Sequence, residues 1–226
     1  DTQRCRGSSA PLTELLTCRV TPVEAEDGGM LDRSALEALL GIVYTERLLF
    51  QRESDYSGMR LWAMPPPVSP ANPFGRIPSS SDLGVEANLR AGSTAAHTLC
   101  IRRVGVVDGI DCGLGVYAAV KIPSGTFLCE YTGVVQCDPD PRIRDDYAFA
   151  LPVCEPDVRI SAQQMGNLCR LLNHSESPNT ALQPVVHEEV IHLVAMTTAA
   201  VEKGAQLLVD YGSSYWRSFN RRKSAL

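Results

Sequence analysis

The chain has 226 residues, 44% of them hydrophobic, which is enough for one large or two small domains with a packed core. Its formal net charge of -5 argues against the broad basic face that nucleic-acid binding needs, and it suits a basic partner better. Many soluble proteins carry such an acidic surplus, so charge alone identifies no partner. No hydrophobic run approaches the roughly 20 residues that span a bilayer, and "DTQRCRGSSA" contains no signal-peptide core. We therefore expect an intracellular protein without a membrane segment.

The eight cysteines are scattered, with no CxxC and no CxC pair among them. This spacing favours neither a zinc module nor a disulfide framework. We expect buried free thiols in a reducing compartment.

Residues 1–97 are predicted to form an N-terminal accessory region. A helix is expected over about 34–54, because Ser34 and Glu37 form an S-x-x-E capping box and leucines recur on one face. Residues 64–82, "MPPPVSPANPFGRIPSSSD", are rich in proline and serine and predict an extended connector.

From about residue 98 the pattern changes to short hydrophobic runs separated by turn signals, which predicts strands. One helix interrupts them: Ser161 with Gln164 forms an S-x-x-Q box, and hydrophobic residues follow at helical spacing up to Asn173. The expected fold class is therefore mainly β with a few helices (α+β). The segments 122–133 ("IPSGTFLCEYTG") and 201–212 ("VEKGAQLLVDYG") resemble each other and deliver Tyr131 and Tyr211 at corresponding ends, although two hairpins can be alike by chance.

Hydrolytic and metal chemistry are disfavoured by what the sequence lacks. It contains no nucleophile elbow, HExxH, P-loop or GxGxxG. His97, His187 and His192 have no metal-ligand spacing, so they are expected to be isolated surface or core residues.

Four short motifs remain, and their order and spacing are specific. They are "GLGVYAA" (113–119), "CEYTG" (129–133), "GNLCRLLNHSESPN" (166–179) and "LLVDYG" (207–212). Over roughly residues 98–216 the chain thereby resembles the SET-domain protein lysine methyltransferases, whose signature is GxG, E-Y-x-G, R-x-x-NHS-x-x-PN and D-Y-G. The resemblance implies small curved β-sheets around a knot-like crossing, with residues 98–212 as the SET domain. Residues 1–97 would be either a layer packed on that domain or a separate partner-binding element.

The resemblance also implies an S-adenosylmethionine site. Asn173 and His174 would hold the cofactor, and the glycines of the first motif would let the backbone approach it closely. The expected cofactor-binding residues are Gly113, Leu114, Gly115, Tyr117, Arg170, Asn173, His174, Tyr211 and Trp216. Arg170 and Leu172 would act through backbone carbonyls that face the transferring methyl group.

The implied reaction is in-line transfer of a methyl group from a sulfonium to the ε-amine of a substrate lysine. That amine must be neutral, so an apolar channel beside the sulfonium must lower the lysine pKa from about 10.4. Alignment of the reacting atoms can contribute on the order of 7 to 11 kcal/mol to lowering the barrier. The expected catalytic residues are Tyr211, Tyr131 and Tyr147, and the expected channel residues are Tyr131, Tyr147, Leu172, Val209 and Tyr211. Val209 stands where relatives commonly have Phe or Tyr, which predicts room for di- or trimethylation.

The sequence departs from the family pattern at its end. Glu176 stands where many relatives have a cysteine, and the tail "SSYWRSFNRRKSAL" has none, so no zinc and no metal site are expected. Residues 213–226 are instead expected to close the site as a C-terminal helix or tail, with Tyr215, Trp216 and Phe219. Trp216 or Tyr215 could stack on adenine, and simple packing is an equally good account.

The implied partner is a basic protein segment, most simply a histone tail, which would place the protein in the nucleus, with the cytoplasm as the alternative. Six acids could read such a tail or could form a merely solvated loop: Asp138, Asp140, Asp145, Asp146, Glu155 and Asp157. A catalytically idle scaffold that binds chromatin, and a methyltransferase for a non-histone protein, are the alternative functions.

Overall fold

The computed structural model describes residues 23–63, 77–91, 98–107, 109–140, 142–151, 158–213 and 215–216. Strands predominate in these ranges, and the strands are short. The helices are α1 (Arg33–Leu40), α2 (Glu53–Ala63), α3 (Glu86–Ala91) and a 3-10 helix (Leu168–Leu171). The strands are β1 (Val23–Ala25), β2 (Met30–Leu31), β3 (Val43–Tyr44), β4 (Leu49–Phe50), β5 (Leu99–Arg103), β6 (Val106–Val107), β7 (Ile110–Asp111), β8 (Leu114–Ala118), β9 (Phe127–Glu130), β10 (Val134–Cys137), β11 (Ala148–Ala150), β12 (Val158–Ser161), β13 (Met165–Gly166), β14 (Asn173–His174), β15 (Thr180–His187), β16 (Val190–Thr197) and β17 (Leu208–Val209).

The strands form several small sheets, as the fold-class prediction requires. The larger sheets have the strand orders β2-β1-β5-β8, β11-β12-β10-β4 and β15-β16-β9, and three strand pairs complete the set: β3 with β13, β14 with β17, and β6 with β7. These sheets enclose one main hydrophobic core. The prediction of a mainly β fold with a few helices is confirmed.

The accessory region adds strands to the sheets of the second half of the chain. β1 runs parallel to β5, β4 runs parallel to β10, and β3 runs parallel to β13. Each pairing joins residues that are far apart in the sequence, so no local pattern announces it. The composition boundary at residue 97 is therefore not a boundary in packing, and the described part of the accessory region is a layer on the core.

The single helix predicted over about 34–54 is wrong in extent. α1 ends at Leu40, because Gly41 takes a left-handed conformation (φ 65°) and its N–H caps the carbonyl of Glu37. Asp32 is the N-cap, rather than Ser34, and accepts from the N–H of Ala35. Hydrophobic residues further along, such as Leu49, then serve two-residue strands rather than a helix face.

The helix predicted between Ser161 and Asn173 is also corrected. Ser161 ends β12, and residues 165–166 form β13, so only Leu168–Leu171 are helical, in a single 3-10 turn. Asn167 caps that turn by accepting from the N–H of Cys169 at 3.1 Å. The hydrophobic residues of this stretch lie in a strand and a short turn, and their spacing matches that of a helix only by coincidence.

The connector predicted over 64–82 lies partly outside the described residues, which resume at 77. Ser79 forms a bridge with Val186, and Ser80 hydrogen-bonds His187 at 2.9 Å, so the end of the connector packs on β15. His97, Glu155, Asp157 and Phe219 lie outside the described residues, so the predictions about them stay predictions. None of the described helices is long and apolar enough to cross a membrane.

Candidate active site

A crossing of two chain segments forms the centre of the site. β14 (Asn173–His174) runs parallel to β17 (Leu208–Val209). The amide of Asn179 satisfies the backbone there, because its Nδ2 donates to the carbonyl of Gln206 at 2.8 Å and its Oδ1 accepts from the N–H of Leu208 at 2.9 Å. Asn179 is thus the side chain that this turn needs, since neither backbone group finds its partner in a regular ladder.

The glycine turn contacts the same crossing. Gly113 adopts a left-handed conformation (φ 61°), which glycine accepts without strain. A Cβ on Gly115 would lie 2.5 Å from Gln206 Nε2 and 3.1 Å from Asn173 Nδ2, so a side chain at this position would have to displace those two amides. Asn173 Nδ2 also donates to the carbonyl of Leu114 at 3.1 Å. The turn and the asparagine are therefore in direct contact.

Tyr211 joins this group through two hydrogen bonds. Its hydroxyl donates to the carbonyl of Leu172 at 2.9 Å, and its N–H donates to His174 Nδ1 at 3.2 Å. Burial, and then the neighbouring hydroxyls of Tyr215 and Tyr147, hold the pKa of Tyr211 well above its ordinary value. The hydroxyl stays protonated, and so it remains a hydrogen-bond donor to Leu172.

A cluster of rings covers the crossing. The ring centroid of His174 lies 4.8 Å from that of Trp216 and 5.4 Å from that of Tyr211. Tyr215 packs edge-on against Tyr211 at 4.7 Å and against Trp216 at 5.2 Å. The beginning of the tail thus lies over the predicted cofactor residues, and the π faces of these rings suit a flat or cationic ligand.

Tyr131 and Tyr147 form a second wall near Tyr211. The hydroxyl of Tyr131 donates to the backbone carbonyl of Tyr147 at 2.7 Å, and burial raises the pKa of Tyr131 well above its ordinary value. Tyr147 remains 40% exposed. The guanidinium carbon of Arg170 lies 3.7 Å from the centroid of that ring. The side chain of Arg170 therefore lies at the tyrosine wall.

The remaining predicted residues take different positions. Leu172 and Val209 are both buried, with Val209 only 2% exposed beside His174 in the β14–β17 pair. Tyr117 shares the face of β8 with Gly115, and Arg102 lies over its ring at 5.4 Å. Tyr117 is therefore partnered by a cation rather than by the ring cluster.

A buried polar network beneath the site was not predicted. Asn167 Nδ2 donates to Glu46 Oε2 at 3.0 Å and to the carbonyl of Glu130 at 2.8 Å, and Tyr44 donates its hydroxyl to Glu46. Burial, and then the charge of Glu46, raise the pKa of Tyr44 well above its ordinary value. The polar pair "GN" at 166–167 was the only sequence signal, whereas Glu46 comes from the accessory layer without one.

The acidic loop is largely neutralised within itself. Asp140 pairs with Arg142 at 2.7 Å, and Asp146 pairs with Arg144. Asp145 instead accepts from the N–H of Tyr147 at 3.0 Å. Of the four described acids, Asp138 and Asp145 form no ion pair with a described arginine. Asp138 is exposed to solvent, and Asp145 lies at the tyrosine wall. Within the described ranges, no three His, Cys, Asp or Glu side chains converge as metal ligands.

The geometry agrees with the sequence comparison. The SET-domain family profile matches residues 113–212, which begin at the glycine turn and end just after Tyr211. The chain therefore contains a SET domain over residues 113–212. Its SET domain contains the glycine turn, the crossing, the tyrosine wall and Tyr211.

The matches with similar proteins span less than half of this chain and a small share of each of those proteins. Histone-lysine N-methyltransferase EHMT1 from Homo sapiens is 36% identical over 115 residues, which are 47% of this chain and 9% of that protein. The H3 lysine-9 specific SUVH5 from Arabidopsis thaliana is 40% identical over 106 residues, 44% of this chain and 13% of that protein. The chain thus spans a small part of the curated relatives that it matches.

One solved structure extends the likeness beyond the domain. A crystal structure of ATXR5 in complex with mono-methylated histone H3.1 superposes with a TM-score of 0.60 at 18% identity. It covers 80% of this chain and 85% of that chain. The superposed 80% of this chain is more than residues 113–212 contain, so the likeness in fold extends beyond the SET domain.

Proposed function

We propose that the chain is an S-adenosylmethionine-dependent protein lysine methyltransferase that acts on a basic protein segment, a histone tail. The observation that carries this proposal is the contact of three motif groups at one point. Asn173 bonds the Gly113–Gly115 turn, and Tyr211 bonds both Leu172 and His174. The names of the SET-domain relatives support a histone as the substrate.

The residues at the crossing fit the cofactor. Asn173 spends its Nδ2 on the carbonyl of Leu114, so its Oδ1 remains to accept from an ammonium group. The ring cluster of His174, Tyr211, Tyr215 and Trp216 offers π surfaces to an adenine and a sulfonium. When bound there, S-adenosylmethionine supplies the methyl group that is transferred.

The chain itself supplies positioning rather than a nucleophile or a base. The raised pKa of Tyr211 keeps its hydroxyl protonated, so Tyr211 does not take the proton from lysine. Because the hydroxyl of Tyr211 donates its hydrogen bond to the carbonyl of Leu172, the lone pairs of the phenol oxygen remain to accept a hydrogen bond from an incoming amine. Buried walls such as Leu172 and Tyr131 exclude water and favour the neutral amine that attacks.

Binding of S-adenosylhomocysteine tests the cofactor proposal by itself. Isothermal titration should show one site per chain, and the affinity for S-adenosylhomocysteine should fall when Asn173 is replaced by Leu. A chain that acts only as a scaffold would give no heat with this ligand, and that outcome contradicts the enzyme proposal.

Incubation with labelled S-adenosylmethionine and separated core histones tests the reaction. Label should appear in a histone, and digestion followed by mass spectrometry should place it on lysine. If recombinant non-histone proteins are labelled and histones are not, the substrate class is wrong while the chemistry stands.

Val209 predicts which products accumulate. A valine is smaller than Phe or Tyr and has no hydroxyl to fix a water molecule, so the site should accept a lysine that already carries methyl groups. Mass spectrometry of the products should show di- or trimethyl-lysine at long reaction times. A product that stops at monomethyl-lysine contradicts this account of Val209.

A further inference from the structure

Arg170 links two parts of the molecule that are distant in sequence. Its Nη1 donates at 3.3 Å to the carbonyl of Leu40, the last residue of α1 in the accessory layer. Its guanidinium carbon lies 3.7 Å from the ring centroid of Tyr147 on the other side. The side chain therefore spans from the end of a helix to the exposed wall tyrosine.

The charge of Arg170 is balanced in an unusual way. Its Nε is buried and lacks a hydrogen-bond partner, and no carboxylate in the described part of the chain lies within ion-pair distance of the guanidinium. The charge is instead stabilised by the π face of Tyr147, by the partly negative carbonyl end of α1 and, at longer range, by the charge of Asp145. A half-buried cation held in this way costs desolvation, and burial correspondingly lowers the pKa of Arg170.

The wall tyrosine depends on few other contacts. Its carbonyl accepts from the hydroxyl of Tyr131 and from the N–H of Ala162, and its N–H donates to Asp145. All these bonds hold the backbone of Tyr147, and none of them orients its ring. Within the described part of the chain, the guanidinium of Arg170 packs on that ring.

We propose that Arg170 is a positioning residue that fixes the ring of Tyr147 against the end of α1 and thereby shapes the entrance for the substrate lysine. The inference rests on the proposed function for its kinetic consequence and on the contacts alone for its structural one. It also assigns the accessory layer a task, because the layer supplies the carbonyl against which Arg170 is held. A change of the Arg170 side chain keeps its backbone carbonyl, the group that is expected to face the transferring methyl group.

The test compares Arg170→Met with the control Arg52→Met. Methionine keeps the apolar stem and removes the charge. Arg52 also joins the accessory layer to a core strand, because it donates to the carbonyl of Cys137 in β10 at 2.8 Å as well as to Asp55 of its own layer at 2.6 Å, and neither partner is a site residue. Both variants are expected to lower the melting temperature, so the comparison separates loss of stability from loss of positioning.

Steady-state kinetics with recombinant histone H3 should show a rise in KM of about tenfold for Arg170→Met, the scale of one partly desolvated cation–π contact. Affinity for S-adenosylhomocysteine should not change, and Arg52→Met should leave KM at the wild-type value. Arg170→Lys keeps a cation over the ring but loses the planar stack, so its KM should lie between wild type and Arg170→Met.

Nuclear magnetic resonance of the tyrosine rings reads the same contact without catalysis. In protein labelled with carbon-13 in its tyrosine rings, the order parameter of the Tyr147 ring should fall in Arg170→Met, while that of Tyr44, a buried ring bonded to Glu46, should not change. Wild-type ring order and KM in Arg170→Met would overturn the proposal, as would a loss of cofactor affinity equal to the rise in KM. A wild-type chain that transfers no methyl group would refute the proposed function, and the ring measurement would still decide the role of Arg170.

Discussion

Two segments of the molecule use the same local design for different ends. The first unit, residues 122–133, and the second unit, residues 201–212, pair with each other through Ile122 and Val201, whose N–H groups and carbonyls bond at 2.9 and 2.8 Å. Each unit turns at a left-handed glycine, with φ 75° at Gly125 and 83° at Gly204. Each ends in an acid followed by a tyrosine.

The two tyrosines make equivalent bonds. The hydroxyl of Tyr131 donates to the carbonyl of Tyr147, and the hydroxyl of Tyr211 donates to the carbonyl of Leu172. The surroundings differ, because Tyr131 is enclosed by protein whereas Tyr211 lies under the ring cluster of the tail. One strand-turn design thus positions the wall residue Tyr131 in the first unit and Tyr211, at the proposed reacting centre, in the second.

Replacing each tyrosine by phenylalanine should break the equivalence most strongly. Tyr211→Phe should lower kcat by about 100-fold, because the hydroxyl that we propose to orient the amine is lost. Tyr131→Phe should act mainly on KM, because Ala162 still bonds the carbonyl of Tyr147. Kinetics with labelled cofactor and histone H3 measure both effects, and titration with S-adenosylhomocysteine confirms that each variant is folded and binds. Equal losses of kcat in the two variants would contradict the assigned difference.

The glycine that ends each unit gives the next comparison. A Cβ on Gly133 would lie 2.2 Å from the carbonyl oxygen of Ser161, a backbone atom that moves only at a cost, whereas a Cβ on Gly212 would meet nothing within 4 Å. Gly133→Ala should therefore destabilise the fold by about 3 kcal/mol. Gly212→Ala should cost only about 1 kcal/mol, for its left-handed conformation (φ 78°). Urea denaturation at constant temperature measures the two values, and similar losses would show that the close contact at Gly133 relaxes.

These units also show what the sequence could predict. Their strands could be predicted from short β-branched and hydrophobic runs that end at a glycine. The site motifs could be predicted because certain positions need one residue type, such as Gly115, which has no Cβ, and Asn173, whose amide bonds the backbone. In contrast, the two-residue strands at 43–44 and 49–50 exist because distant partners offer them a free edge. Local propensity contains no such information, so a leucine-rich stretch was interpreted as one long helix.

The least predictable part of the site was the direction of long side chains. The motif placed Arg170 beside the cofactor residues, and its backbone does lie just before the crossing. Its guanidinium nevertheless extends to Leu40 and Tyr147, and both partners depend on tertiary packing. Asn167 and Glu46 were missed for the same reason, since a buried amide and a buried acid contact each other only once the accessory layer is in place.

The acid before each tyrosine gives the smallest and most specific comparison. Glu130 lies 2.7 Å from His192 Nδ1 and its side chain is 8% exposed, whereas Asp210 lies 3.6 Å from His174 Nδ1 and is 62% exposed. Burial lowers the pKa of His192, but the charge of Glu130 and the hydrogen bond to it outweigh burial, so that pKa lies above its ordinary value. The group that faces His192 from β15 is His187, whose own pKa is lowered by burial and then by the charge of His192.

Because the pKa of His192 is higher in the folded state, its pairing with Glu130 stabilises the fold fully below the unfolded pKa of about 6.5. That contribution is lost as pH rises through the folded pKa. Glu130→Gln should therefore lower the free energy of unfolding more at about pH 5.5 than at about pH 8.5, whereas Asp210→Asn should have a small effect that is the same at both, because exposed pairs are screened by water. Urea denaturation at the two pH values measures this difference. A loss in Glu130→Gln that is independent of pH would mean that His192 is not charged in the folded protein, and the likeness between the two acid–histidine contacts would then extend to their energetics.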